Sequence, residues 1–267
     1  MKAAAFDYVA PTTVAAALEA LAGAEDGRVL AGGQSLAPML NLRLAMPRLL
    51  VDLGGITELR GVSNDGARHR IGAMVTHAVL EDGVHAFADR GMLAFVAAGV
   101  AYRAVRNRGT IGGSLAHADP AADWPSALLA LDAAVVVAGP AGSREIAVGE
   151  FLRGAFATAL EPGEIVTAVL VPELSPQARW GYYKICRKAG EFPDAIGAVV
   201  IDPPRGVSRV VMGALDGTPV LLPGLSLDAA PEAIATAVAA AAPELDAVDH
   251  RLHAVAVRRA LARASAP

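Results

Sequence analysis

Apolar positions along the chain change period several times, and each change marks an element. Near the start, Val14, Leu18 and Leu21 recur at helical spacing, Thr12 or Thr13 can cap, and Gly23 and Gly27 close the segment. This predicts a helix through Ala22. Arg28-Val29-Leu30-Ala31 predicts a short buried strand halted at Gly32-Gly33. Ser35–Leu42 predicts a short helix, and Leu49–Leu53 a second strand ending at Gly54-Gly55. Strand, turn, helix and strand in that order are the usual carrier of an anion-binding loop.

The middle of the chain is mixed. Asn64-Asp65-Gly66 is a hairpin signal between strands at Leu59–Val62 and Arg68–Ala73. Thr76 can cap a helix, and a longer helix is predicted from Phe87 to Gly99. Residues 107–125 read as a loop of unusual composition. A helix over Ser126–Leu131 leads into a hairpin of Ala133–Ala138 and Arg144–Val148 around Gly139-Pro140-Ala141-Gly142.

A boundary falls after Val171-Pro172, where Pro172 and Pro176 bracket a polar linker. Beyond it, Trp180–Lys188, Ala195–Ile201, Val207–Ala214 and Val220–Leu222 predict strands, and Pro231–Ala242 and Ala247–Ala264 predict helices. Strands followed by helices in one segment indicate an α+β arrangement. No internal repeat is present.

Composition narrows the function. The chain has 267 residues, 23 Lys+Arg against 27 Asp+Glu, and a net charge of −4. A mildly acidic chain without a basic block is a poor partner for nucleic acid, whose binding rests on phosphate neutralisation. One cysteine excludes an internal disulfide framework, a cysteine-based zinc site and a protein-held iron–sulfur cluster. The N-terminus has no sustained apolar stretch, and the run near Gly91–Tyr102 is too short to span a bilayer. The expectation is a soluble cytoplasmic protein with no transmembrane segment.

Two glycine-rich loops carry the candidate chemistry. In Ala31-Gly32-Gly33-Gln34-Ser35, paired glycines let the backbone approach a ligand and align successive N–H groups. The following helix start adds partial positive charge, and Ser35 adds a hydroxyl. Arg106-Asn107-Arg108-Gly109-Thr110-Ile111-Gly112-Gly113-Ser114 offers the same devices with flanking cations. Each loop alone can be a structural turn. Two together fit a ligand with two phosphates or a long polar body, such as a dinucleotide. Neither has the G-x-G-x-x-G spacing of a Rossmann site.

Other residues admit two readings. Gly33-Gln34-Ser35-Leu36-Ala37 lies one residue from a G-x-S-x-G nucleophile elbow, with Asp123 and His253 in the right order for a serine hydrolase. That reading leaves the second loop without a purpose. His117 adjoins the second loop and can reach a ligand there. His250 and His253, three apart on a predicted helix, are either a metal pair or a solvated face. Cys186, before Arg187 and Lys188, is a buried thiol in a strand rather than a nucleophile. Lys184 is one of only three lysines, either guarding a strand edge or facing an electron-rich ring or phosphate. Phe192 is among the few aromatics placed to cover a planar cofactor.

Taken together, the two loops, Lys184, Arg187 and Phe192 resemble, in order and spacing over nearly the whole chain, the FAD-binding medium subunit of the molybdenum hydroxylases. That family includes aerobic carbon monoxide dehydrogenase, xanthine dehydrogenase and dehydrogenases of nicotine, other N-heterocycles and hydroxybenzoyl-CoA. The resemblance implies an FAD-binding domain of the vanillyl-alcohol-oxidase (PCMH) type over residues 1–172, in lobes of about 1–55 and 56–172. It implies a smaller C-terminal domain over 173–267, with a three-stranded antiparallel sheet and helices. Carried over by position, Val29, Leu30, Ala31, Gly32, Gly33, Gln34, Ser35 and Leu36 would wrap the pyrophosphate. Thr110, Ile111, Gly112, Gly113 and Ser114 would form the second phosphate and flavin loop. Asp123 would contact the FAD, Ile165 and Val166 would lie against the adenine side, and Lys184 near the flavin. Gln34 stands where some members have His, and Ser114 where Asn is commoner; both still form hydrogen bonds. An extra cluster-binding insertion of one branch is absent.

The resemblance also implies partners: a large molybdopterin subunit where substrate reacts, and a small subunit relaying electrons through [2Fe–2S] clusters, assembled as a dimer of heterotrimers. This chain would receive electrons on FAD and pass them to an external acceptor, with no acid, base or metal ligand of its own. A self-contained flavoprotein oxidase of the same fold, and a scaffold or sensor without redox function, are the alternatives.

Overall fold

The computed structural model describes residues 2–84 and 91–266. The chain opens with β1 (Asp7–Val9), α1 (Val14–Ala22), β2 (Gly27–Leu30), α2 (Leu36–Leu42) and β3 (Leu49–Asp52). Thr13 is the cap of α1: its hydroxyl accepts from the Ala16 amide at 3.2 Å. The three strands form a parallel sheet in the order β1-β3-β2. The strand–turn–helix–strand unit is present as expected, with β1 as an additional edge. The polar Asp7-Tyr8 hid β1 from hydrophobic periodicity.

The middle contains β4 (Val62–Asn64), β5 (Arg68–Gly72), α3 (His77–Glu81), α4 (Met92–Gly99), α5 (Arg103–Arg106), α6 (Ile111–His117) and α7 (Asp123–Ala130). It continues through β6 (Ala134–Gly139), β7 (Gly142–Ala147), α8 (Val148–Phe151), β8 (Leu152–Gly154), β9 (Ala157–Thr158) and β10 (Ile165–Pro172). The strands form a five-stranded antiparallel sheet, β4-β5-β10-β6-β7, beside a small β8-β9 ribbon. Both expected hairpins form. Asn64 Oδ1 accepts from the Gly66 amide at 2.6 Å, and Gly66 takes φ +88, which only glycine adopts without strain. The strand expected at Leu59–Val62 starts later, because Thr57–Arg60 winds into a 3-10 turn that buries Leu59. The start of the helix expected from Phe87 lies partly outside the described residues.

The expected loop over 107–125 is mostly helical: α6 and the start of α7 occupy it. Gly112-Gly113 lowers helix propensity, but here closeness decides. A Cβ on Gly112 would lie 2.4 Å from the Ala73 Cβ, so only glycine lets α6 sit on the sheet.

The C-terminal part holds β11 (Arg179–Ile185), β12 (Ala195–Asp202), β13 (Val207–Gly213), β14 (Val220–Leu221), α9 (Pro231–Ala241) and α10 (Ala247–Ser265). Its antiparallel sheet has a short fourth strand, β14, beyond the three the resemblance implied. Both faces of β12 are buried, which explains its continuous apolar sequence. Ile196, Ala198 and Val200 join the core around α4 and α7, while Val199 joins the core of α9 and α10. The C-terminal sheet thus shares a core with the middle of the chain. No helix among the described residues is long and apolar enough to cross a membrane.

Candidate functional site

A cleft of about 640 Å³ lies where β2, α2, α6, α7 and the β11–β12 loop converge. This is the size of a small-molecule or cofactor site. Val29, Ala31, Gly32, Gly33, Gln34, Ser35 and Leu36 line it, as do Thr110, Gly113, Ser114, His117, Asp123 and Phe192. Leu30, Ile111, Gly112, Ile165, Val166 and Lys184 do not.

The two glycine loops meet back to back. A Cβ on Gly32 would lie 2.1 Å from the Arg108 carbonyl oxygen, and one on Gly113 would lie 3.1 Å from the Ala31 Cβ. These glycines bring the loops into contact and leave a strip of bare backbone along the cleft. Gly33 holds φ +74, so a side chain there is strained. Its neighbour Gln34 donates to the Gly32 carbonyl at 3.0 Å and braces the turn. Ser35 precedes α2, yet its hydroxyl makes no capping bond. Thr110 caps α6, its hydroxyl accepting from the Gly113 amide at 3.1 Å. Gly112 faces away from the cleft and serves packing.

The second loop's arginines do not flank the cleft. Arg106 is ion-paired with Glu81 at 2.7 Å and donates to the Val100 and Ala101 carbonyls. That hydrogen-bonded pair holds the Glu81 carboxyl below its ordinary range. Arg108 is exposed and does not line the cleft.

At one wall, Asp123 opens α7 and is buried. Tyr182 donates to its Oδ1 at 2.6 Å, and the Lys184 ammonium lies 2.9 Å from that same oxygen and donates to Oδ2 at 3.0 Å. Lys184 also donates to the Gly99 carbonyl at 2.9 Å. Burial, with the Asp123 carboxylate beside it, pushes the Tyr182 phenol well above its usual pKa, so it remains a donor. Lys184 is thus engaged by Asp123 and the Gly99 carbonyl and does not line the cleft. Phe192 is 66% exposed at the rim. Gly190 holds that loop against the segment before α5, since a Cβ there would meet the Ala101 carbonyl oxygen at 2.5 Å.

Ile165 and Val166 are buried in β10, where Ile165 packs with Val51, Ile56 and Met74. The hydrolase constellation does not assemble. Asp123 is engaged by Tyr182 and Lys184, and His253 is buried away from the cleft, its ring nitrogens facing the Asp249 and Ala214 carbonyls at 2.9 and 3.3 Å. His250 bonds the Ala242 carbonyl, and no metal-binding cluster occurs among the described residues.

His77 and Trp124, to which the sequence alone assigned no role, also line the cleft. The Trp124 indole N–H donates to His77 Nδ1 at 3.1 Å. The two are 47 residues apart, so no local spacing announces them. Asp26, Arg28 and the stretch 44–47 were likewise not expected at the cleft.

Comparison with known proteins places this geometry. Residues 4–174 match the FAD binding domain in molybdopterin dehydrogenase. The chain is 36% identical to the carbon monoxide dehydrogenase medium chain of Afipia carboxidovorans, covering 98% of this chain and 97% of that one. It is 38% identical to the nicotine 6-hydroxylase medium subunit of Paenarthrobacter nicotinovorans, over 75% of this chain and 70% of that one. Among solved structures, carbon monoxide dehydrogenase from Hydrogenophaga pseudoflava, lacking the Mo-pyranopterin moiety of its cofactor, superposes with a TM-score of 0.90 at 33% identity, covering 99% and 98% of the two chains. The chain belongs to the family of FAD-binding domains in molybdopterin dehydrogenases.

Proposed function

We propose that this chain is the FAD-carrying electron-transfer subunit of a molybdenum-containing dehydrogenase. It takes electrons from [2Fe–2S] clusters of a small partner subunit and hands them to an external acceptor. Substrate reacts on a large molybdopterin subunit, and the assembly is a dimer of heterotrimers. The observation that carries this reading is the joined pair of glycine loops along one cleft of about 640 Å³.

These residues suit the group. Backbone N–H groups at Gly32-Gly33, with the Ser35 hydroxyl, suit a pyrophosphate, each bond to a charged oxygen contributing about 1.5–3 kcal/mol. The Ile111–Ser114 amides already donate within the chain, so the second loop shapes the cleft through its bare backbone and the positive end of α6. Phe192 covers one face of a planar ring, and Asp123 accepts a ligand donor. FAD supplies two-electron acceptance and stepwise release, while the chain binds it, orients it and sets its surroundings. The relatives' names span carbon monoxide and nicotine, so substrate choice belongs to another subunit. The division into an FAD-binding part, 1–172, and a C-terminal part, 173–267, is part of the proposal. The family match ending at residue 174 supports it.

The test is purification of the tagged chain from the organism that encodes it. The expected result is co-purification of an iron–sulfur chain and a molybdenum chain, with acceptor reduction by the complex and not by this chain alone. Turnover of a small substrate by this chain alone would replace the proposal with the self-contained oxidase.

A further inference from the structure

His77 begins α3 and is 5% exposed. Its amide donates to the Gly109 carbonyl at 2.9 Å, which fixes the residue beneath the second glycine loop. Its Nδ1 accepts from the Trp124 indole at 3.1 Å. Nδ1 therefore carries no proton, and in the neutral ring the proton sits on Nε2. Burial, with the Arg106 charge adding to it, pushes the pKa down to about 4, so the ring is neutral at pH 7.

No hydrogen bond of the described residues uses Nε2, and the atom is not among the sealed-off polar atoms. It is reached from the cleft, which His77 lines. The side chain that would cover this edge is missing: a Cβ on Gly109 would lie 3.0 Å from Nε2 and 2.9 Å from Cδ2. Gly109 is glycine without a positive φ, so the space beside the imidazole is what needs it. An N–H that no protein group uses, on a ring held in place beside the cleft, is free to donate to an acceptor on a ligand there. The neighbouring wall is Val100, Ala101, Val105 and Trp124, which is mostly apolar. That wall favours a flat heteroaromatic ring over a solvated phosphate.

We infer that His77 is a cofactor-binding donor, clamped by Trp124, whose Nε2–H hydrogen-bonds an acceptor nitrogen or carbonyl on a heteroaromatic ring of the bound dinucleotide. The inference rests on the FAD reading above. Both adenine and isoalloxazine offer such an acceptor, and the experiment separates them.

The full-length chain, freed of cofactor, is titrated with FAD, AMP and FMN by fluorescence, as wild type and as His77→Leu and His77→Gln. His77→Leu weakens FAD by about tenfold, the loss of one buried donor. His77→Gln, whose amide nitrogen can replace Nε2, returns to within about threefold of wild type. Whichever of AMP and FMN loses affinity in His77→Leu identifies the ring. A second measurement needs no variant: histidine ¹⁵N spectra of wild type show one ring as the neutral Nε2–H form, with its Nε2 signal shifting on FAD addition. Equal FAD affinity in wild type and His77→Leu, or an Nε2 signal unmoved by FAD, overturns the inference and leaves the FAD reading standing. A wild-type chain that binds no FAD overturns both.

Discussion

The Lys184 ammonium, on β11, lies 2.9 Å from a carboxylate oxygen of Asp123, on α7, and both side chains are nearly buried. The pair joins the C-terminal sheet to the cleft wall. Removing one partner leaves a nearly buried charge without compensation, which costs up to about 3–5 kcal/mol, less where the cleft admits water to Asp123. Lys184→Met is therefore expected to lower urea-unfolding stability by that order. Lys184→Met with Asp123→Asn is expected to recover much of the loss. A single variant as stable as wild type would show that the pair is solvated and idle.

Gly112 and Gly33 are expected to fail differently. Gly112→Ala forces a Cβ against the Ala73 Cβ, at 2.4 Å before relaxation. It should cost about 1–3 kcal/mol of stability with or without FAD. Gly33→Ala has room, with Leu30 Cδ1 as its nearest atom at 3.4 Å, but sits at φ +74. Its strain is about 1–2 kcal/mol, and its side chain stands at the cleft, so FAD affinity should fall as well. Thermal melts with and without FAD, together with FAD titration, separate the two.

Ser35→Ala tests the unengaged hydroxyl. Because Ser35 makes no capping bond, cofactor-free stability should change by less than about 0.5 kcal/mol. FAD affinity should fall about 10- to 100-fold, the value of one bond to a charged oxygen. A drop in cofactor-free stability with unchanged affinity would reassign Ser35 to the fold.

His77 predicts a pH dependence. Its pKa is about 4 in the folded chain against 6.5 for the free side chain. Between these values the unfolded chain binds a proton that the folded chain does not, so stability falls as pH drops from 6.5 toward 4. The full effect is about 3 kcal/mol, and this group adds no slope above pH 7. Urea unfolding at several pH values should show that slope in wild type and its loss in His77→Leu.

The sequence showed local devices better than distant meetings. The Thr13 cap, the Asn64-Asp65-Gly66 turn and the Gly32-Gly33 stop depend on neighbours, and all are where periodicity puts them. The helix through Gly112-Gly113 was not legible, because the gain that offsets poor propensity is contact with Ala73 and Ala31, far away in sequence. The cleft was legible at its two loops. His77 with Trp124, and Arg106 turned toward Glu81, were not, since each pairing spans more than 20 residues and has no periodic signature.

The most direct test of the account is titration of the cofactor-free, full-length chain with FAD, followed by flavin absorbance and by analysis of the denatured protein. Saturation at about one FAD per chain, with the flavin released intact on denaturation, is the predicted result. A chain that stays colourless and shows no saturable uptake of FAD would contradict the account.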